Sequence, residues 1–580
     1  MSLEEIVLKH ALINAIKYGG KASVQAVIGK VLAENPLLKK DIEKVVKIAE
    51  ATVNRVNEMS ISEQKALLEK LFPGTFAKKR RKETKKTLPP LPNAEKYKEI
   101  RTRFAPNPDF VLTLGNARPA ILSYEYARMY RGKFILRFED TDPRTKRPIK
   151  EAYSLIKEDL KWLKVSWDEE YIQSLRMHIY YQYARELLEQ GGAYICRCPP
   201  STVKEYRAKG IRCQCAQKPV EDQLELWDKM LEGAFKEGEA VYRVKTDPKC
   251  PDPSVRDWIA FRIIDTTKYP HPLVGDKFIV WPTYNFACAI DDHEMKITHI
   301  LRAKEHISNT IKQKYLYKHM GWNYPEAIHF GRLKLEGFIL SKSKIRAGIE
   351  KGLYEGPDDI RLGTLMALRK RGFLPESIWD LILEVGIKSS EATISFINLC
   401  SLNRKYLEPR ANRYMFVCEP MLVEIETKKD LIAKISNHPS YPERGYRKIV
   451  LHAENNIVSV YVSREDILKN RNKPLRLMGL VNITIDCIQE KKAKARLYRG
   501  DIRDIKAAKG DIVQWVPASD NVKTKVIRVK NNNIVIEEGL AEPSIKSLKV
   551  GERIQFIRYG FAKLDEIKED ETRIFIYIHD

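Results

Sequence analysis

From Ile100 onward, short apolar strands alternate with helices, and no other feature of the 580-residue chain constrains its fold as tightly. Residues 102–106 (TRFAP) read as a strand, and residues 116–131 as a helix carrying Ala120, Ile121, Tyr124 and Ala127. Gly132 ends that helix, and residues 133–140 (KFILRFED) form a second strand that finishes in two carboxylates. A strand–helix–strand order predicts a parallel sheet whose working edge lies at the carboxyl ends of its strands. Past residue 410 the texture changes. Short runs such as RKIVLHA, NIVSVYV, DIVQWVP, KVIRV and RIQFIRY, separated by turn-forming residues, predict one or two antiparallel barrels.

A chain this long exceeds what one hydrophobic core can organise, so several domains are expected. Residues 1–77 read as helices. Ile42, Val45, Val46, Ala49, Val53 and Val56 share one helical face, and Ser60 with Glu63 fits a capping box. A basic run, KKRRKETKK, and the proline-rich TLPPLPN then make residues 78–98 a semi-rigid linker. Both a plain tether and a tether that touches RNA fit that composition.

The chain carries 102 Lys+Arg against 77 Asp+Glu, a formal net charge of +25. Such a surplus attracts polyanions, although a basic surface without a partner fits it too. No apolar run approaches the roughly 20 residues that span a bilayer. The N-terminal stretch has early acids and lacks the basic flank of a secretory signal, so a cytoplasmic location is expected. Four of the nine cysteines fall within twenty positions, which reads as metal ligands before disulfides.

Three distant segments can reach the same sheet edge. In RTRFAPNPDFVLTLGNARPAIL a strand runs into a turn with Pro106, Pro108 and Gly115, and the following helix start suits a phosphate. In RFEDTDP, Glu139 and Asp140 sit at a strand end beside Asp142, where a carboxylate can hold an ammonium group. In RLKLEGFILSKSKI, Lys342 lies between two serines in a short loop, where its ammonium can meet phosphate oxygens.

In that order, these segments resemble the class I aminoacyl-tRNA synthetases of the glutamyl/glutaminyl subgroup. WPTYNFACAIDDHEMKITHILRAKEH is similar to the family's substrate-binding stretch and FGRLKLEGFILSKSKI to its mobile lysine loop. DDIRLGTLMALRKRGF, LEPRANRYMFV, IVQWVPA and ERIQFIRYGFAKLD match later segments, so the resemblance spans residues 99–580. It implies a multidomain α/β plus all-β architecture. A Rossmann-like catalytic domain takes residues 99–195 and 281–345, split by a tRNA acceptor-binding insertion at 196–280. A helical connector (346–410) and β-barrels that bind the anticodon (411–580) follow.

The implied chemistry is ATP-dependent activation of L-glutamate and its transfer to the 3′ end of tRNA(Glu), with tRNA(Gln) open as a second acceptor. ATP binding carries over to Thr113, Leu114, Gly115, Asn116, Arg332, Leu333, Ser341, Lys342 and Ser343, with Lys342 stabilising the transition state and Mg²⁺ accompanying ATP. Glutamate binding carries over to Arg103, Ala105, Asn107, Glu139, Tyr284, Cys288 and Arg302. Arg302 decides for glutamate, because an arginine facing the side-chain carboxylate disfavours neutral glutamine. Two departures stand out: the first motif has Thr113 and Asn116 in place of two histidines, and the lysine loop has Ile339 where many class I enzymes carry lysine. The missing histidines motivate an alternative, a catalytically silent tRNA-binding relative, beside the nearer alternative of a glutaminyl enzyme. A base-modifying paralogue fits poorly with the apparent anticodon-binding region.

Cys196, Cys198, Cys213 and Cys215 suit tetrahedral, structural zinc, since four protein ligands leave no open position. Within and beside that loop Lys204, Arg207, Lys209 and Arg212 suit phosphate contacts with tRNA. The N-terminal helices are expected either to dock another protein or to stabilise the catalytic domain.

Overall fold

The computed structural model describes residues 2–17, 19–35, 38, 41–72 and 88–580. The basic run at 78–86 lies outside the described residues. The chain divides into two compact units, Met1–Lys85 and Lys86–Asp580.

Among the described residues, the first unit holds four α-helices: α1 (Leu3–Lys17), α2 (Val24–Glu34), α3 (Ile42–Glu58) and α4 (Ile61–Leu71). Val7, Ala11 and Leu12 pack with Val27, Val31, Val45, Ala49, Val53 and Val56 in a core of their own. The predicted face on α3 is shifted at its start. Ile42, the first helical residue, is 46% exposed, and Thr52 joins the buried stripe. Ser60 and Glu63 form the predicted capping box: Ser60 N donates to Glu63 Oε2 at 2.8 Å and Glu63 N to Ser60 Oγ at 3.3 Å.

The second unit begins with β1 (Arg101–Phe104), α5 (Leu114–Met129), β2 (Lys133–Phe138), α6 (Lys150–Trp162) and β3 (Glu169–Ile172), the strands pairing parallel in the order β1-β2-β3. The helix expected at 116–131 therefore starts and ends two residues earlier. Gly132 follows it because a Cβ there would lie 2.0 Å from the Ile100 carbonyl oxygen. After α7 (Met177–Glu189) comes an antiparallel sheet of β4 (Ala193–Cys196), β5 (Val241–Val244), β6 (Ile259–Ile263) and β7 (Val280–Pro282), with α8 (Pro200–Lys209) and α9 (Val220–Leu231) between its first two strands. Trp227, Tyr242, Phe261 and Trp281 fill the space beneath it.

The chain then resumes the parallel pattern. α10 (Tyr284–Glu294) leads to β8 (His299–Ala303), α11 (Ile307–His319) and β9 (Glu326–Phe330), with β8 and β9 parallel. Thr298 N donates to Arg101 O at 2.9 Å, and Arg101 N to Thr298 Oγ1 at 2.9 Å, tying this pair to β1. β10 (Leu333–Leu335), α12 (Lys342–Glu350), α13 (Leu365–Arg371), α14 (Pro375–Val385), β11 (Ala392–Ile394) and α15 (Phe396–Leu407) complete the α/β part.

Residues 413–579 form two seven-stranded sheets and a separate hairpin. The chain enters the first sheet at Arg413–Tyr414 and Phe416–Cys418, builds the second between Pro420 and Pro517, and returns to the first from Val522 onward. The two edge strands of each sheet follow one another in the chain, parted only by Met415 in one and by Gln514 and Trp515 in the other. Each sheet thus curls round to its own beginning, as barrels do. The expectation of antiparallel barrels is corrected: each contains two parallel pairs, because the chain returns alongside strands laid down earlier. Among the described residues, no helix is long and apolar enough to cross a membrane.

Arg118 locks α5 to the elements around it. It is 1% exposed, and its guanidinium donates to the carbonyls of Gly331, Gly386 and Lys388 while lying over the Phe330 ring. Replacing it leaves the buried Gly331 carbonyl and the half-buried Gly386 and Lys388 carbonyls short of a donor. Arg118→Met is expected to lower stability by about 3 kcal/mol, seen as an earlier urea midpoint with unchanged native helix content.

Candidate active site

A cleft of about 1220 Å³ opens over the carboxyl ends of β1, β2 and β8. All predicted nucleotide and amino-acid residues line it except Leu114, Cys288 and Ser343. Leu114 is packed in the core, Cys288 is fully buried beneath the cleft floor, and Ser343 is exposed on α12.

The floor is held by charge. Asp292, on α10, accepts from Arg103 Nε at 3.0 Å and from Arg137 Nη1 at 2.8 Å, joining β1 and β2 to the helix. Arg137 Nη2 also donates to Glu139 Oε1 at 2.9 Å, and Cys288 Sγ lies 3.3 Å from it. Burial pushes the Asp292 carboxyl up, but the two guanidiniums prevail and hold it at about 2. Burial likewise raises Glu139, which Arg137 and Arg103 only partly offset. The carboxylates predicted together at the end of β2 separate in role. Glu139 faces the cleft, whereas Asp140 is buried and accepts from Tyr153 OH (2.6 Å), Ser174 N (2.8 Å) and Ser174 Oγ (2.7 Å). Asp142 accepts from the amides of Arg144 and Thr145 and pairs with Arg262.

Arg302 is a different kind of buried cation. It is 5% exposed and reaches four acceptors: Thr310 Oγ1 (2.7 Å), Gln313 Oε1 (2.8 Å), Tyr324 OH (3.0 Å) and Tyr284 OH (3.4 Å). All four are neutral oxygens, and its buried Nε has no partner.

At the other end of the cleft, Lys342 opens α12 instead of lying within a loop, with Ser341 as its N-cap. Its Nζ is anchored to the turn between β1 and α5, 3.2 Å from both Asp109 Oδ1 and Asn107 O. Burial lowers its pKa, and Asp109 opposes the shift. The Thr113 amide and hydroxyl both donate to Asn116 Oδ1, at 3.0 and 3.1 Å. Of the two side chains that stand in place of histidines, Thr113 is therefore spent within the protein, and the Asn116 amide nitrogen carries the remaining donors. The Leu114 amide is likewise bonded to Gly363 O at 3.0 Å. Arg332 is exposed and paired with Glu305.

The catalytic-domain model of the class I tRNA synthetases (E and Q) matches residues 99–409, and the family's two anticodon-binding domain models match 411–501 and 512–565. The chain belongs to this family. It is 51% identical to a glutamate–tRNA ligase of Hyperthermus butylicus, over 98% of this chain and 100% of that one. It is 52% identical to the same enzyme of Thermofilum pendens, over the full length of both. A solved glutamate tRNA ligase from Elizabethkingia meningosepticum, in complex with its amino acid, matches at a TM-score of 0.40 and 26% identity, over 54% of this chain and 70% of that one.

In this synthetase the four clustered thiols converge. Cys196 and Cys213 Sγ lie 3.7 Å apart, Cys198 and Cys215 Sγ 3.6 Å, and all four sulfurs fall within 4.8 Å of one another. The neighbouring basic residues divide. Arg207 and Arg212 donate to Asp257 and so belong to the scaffold, Lys209 pairs with Glu205, and Lys204 stands exposed.

Sequence reasoning missed Asp292, Arg137, Thr310, Gln313 and Tyr324. Only Asp292 left a signal, as an acidic pair with Asp291 inside the apolar run of α10. His306 was missed too. It lines the cleft beside the Tyr284 ring, and burial, aided by the Arg302 charge, lowers its pKa to about 4. The fold therefore favours neutral imidazole. Below about pH 6.5 the unfolded chain takes up this proton first, so stability falls as pH drops toward 4. Between pH 7 and 4.5, His306→Gln is expected to lose up to about 3 kcal/mol less stability than the parent, read from urea midpoints.

Proposed function

We propose that this synthetase activates L-glutamate with ATP and transfers it to the 3′ end of tRNA(Glu). The single observation that carries this reading is Arg302. A buried guanidinium surrounded by neutral oxygens, with an unpartnered Nε, matches an anionic side chain and disfavours a neutral amide. The full-length relatives named glutamate–tRNA ligases support the same choice.

Glu139 faces the cleft as a carboxylate, and the buried Asn107 Oδ1 is without a partner, so both suit the substrate ammonium. A glutamate α-carboxylate oxygen attacks the α-phosphorus of ATP, a C–O–P linkage forms, and pyrophosphate leaves. A terminal ribose hydroxyl of the tRNA then takes the acyl group and AMP departs. Alignment and charge neutralisation suffice for both steps. Lys342, anchored at the turn before α5, supplies positive charge to the phosphates, with the Asn116 amide and the Gly115 backbone beside it. Mg²⁺ enters as the companion of ATP's phosphates. The reading places the enzyme in the cytoplasm, where tRNA is charged. Docking of another protein by the N-terminal unit rests only on that unit having its own core.

The four thiols suit zinc: sulfurs at the corners of a ZnS₄ tetrahedron with bonds of about 2.3 Å lie about 3.8 Å apart. Cys196, Cys198, Cys213 and Cys215 would hold it, cross-linking the end of β4 to the loop after α8. The purified protein is expected to contain one zinc per chain by elemental analysis. Its removal by chelator is expected to lower the thermal midpoint without abolishing glutamate binding.

ATP–pyrophosphate exchange with glutamate or glutamine, with and without tRNA, tests the assignment. Glutamate is expected to drive exchange and glutamine not; the reverse outcome makes this a glutaminyl enzyme, and exchange under no condition makes it a silent relative. Arg302→Ala is expected to lower kcat/KM for glutamate roughly 10- to 100-fold, the loss of one charge-assisted bond. Charging of purified tRNA(Glu) and tRNA(Gln) decides between one acceptor and two.

A further inference from the structure

Behind Arg302, on the side away from the cleft, sits Gln313. It is fully buried on α11, one helical turn from Thr310 and so on the same face. Arginine has only donors, so the oxygen of the Gln313 amide must face it. That Oε1 accepts from Arg302 Nη2 at 2.8 Å and from Tyr324 OH at 2.7 Å, while Nε2 is buried without a partner. A buried amide satisfied at one end only is unusual, because an apolar isostere would avoid the cost of the unpaired nitrogen. The arrangement makes sense if the oxygen is required and a charge is forbidden.

Arg103 and Arg137 show what happens otherwise. Each is paired with the Asp292 carboxylate, and their charge is consumed within the floor. Resting on that reading of Arg302 as the glutamate-selecting cation, we infer that Gln313 is a specificity-determining positioning residue. It fixes the Arg302 guanidinium through a neutral acceptor and so leaves the full charge for the substrate side chain. A carboxylate of the same shape at 313 turns Arg302 into an internal ion pair and removes the preference for an anionic substrate. Gln313 does not line the cleft, so its influence passes through Arg302.

The test is ATP–pyrophosphate exchange by wild type, Gln313→Glu and Gln313→Met, measured with glutamate and with glutamine in the presence of tRNA. In Q313E the KM for glutamate is expected to rise roughly tenfold or more, with kcat within about twofold and glutamine kinetics little changed, so the glutamate-to-glutamine ratio of kcat/KM collapses. Q313M keeps the volume and adds no charge. It is expected to raise the glutamate KM less and to retain most of the ratio. If Q313E does not fold, unaltered glutamate KM in Q313M overturns the inference. A normal wild-type preference with an unchanged ratio in folded Q313E also overturns it, leaving the functional reading intact. A wild-type preference for glutamine overturns both.

Discussion

One carboxylate and two guanidiniums, all withdrawn from water, hold the floor of the cleft. Asp292 links Arg103 on β1 to Arg137 on β2, so the first two strands are fixed to α10 by charge as well as by packing. Separating such a group from its partners strands an ion in a medium of low polarity, at a cost of several kcal/mol. The floor is therefore rigid, and the groups mounted on it have fixed positions. Glu139 is held by the far side of Arg137, and Cys288 is wedged beneath the same guanidinium. Arg302 contrasts with this pair of arginines, because its partners are all neutral oxygens. Of these three buried arginines, Arg103 and Arg137 are paired with a carboxylate and Arg302 is not.

The other end of the cleft is assembled differently. There the turn between β1 and α5 is held by backbone pairing with the segment at 363–365, and Lys342 reaches back to it from the start of α12. This end of the cleft thus depends on segments far apart in sequence.

Much of this was legible in the sequence, because strand–helix alternation and the ordered motifs are local signals. β1, α5 and β2 fall within two residues of their expected places, and the cleft gathers the nucleotide and amino-acid residues with three exceptions. What escaped depends on direction. Thr113 and Asn116 look like two free donors in a string of letters, and only the fold turns one toward the other. Arg207 and Arg212 look like phosphate ligands, but the turn at Asp257 draws them inward. Thr310 and Gln313 carry no motif, since a neutral residue behind a cation has no spacing signature. The parallel pairs in the barrels were hidden for a related reason: alternation reports which face of a strand is buried, and says nothing of its neighbour.

The interrupted first barrel sets an order of assembly. Phe416–Cys418 pairs with Gly539–Ala541, so this sheet waits for a partner made much later, while the sheet between Pro420 and Pro517 is continuous in the chain. On a ribosome, where domains form as they emerge, the inner barrel can close while the outer one still lacks five of its seven strands. Phe561 and Ile578 of the outer barrel also pack into the core formed by β1, α5, α13 and α14. The core beneath the catalytic domain is thus completed by side chains synthesised long after its own strands.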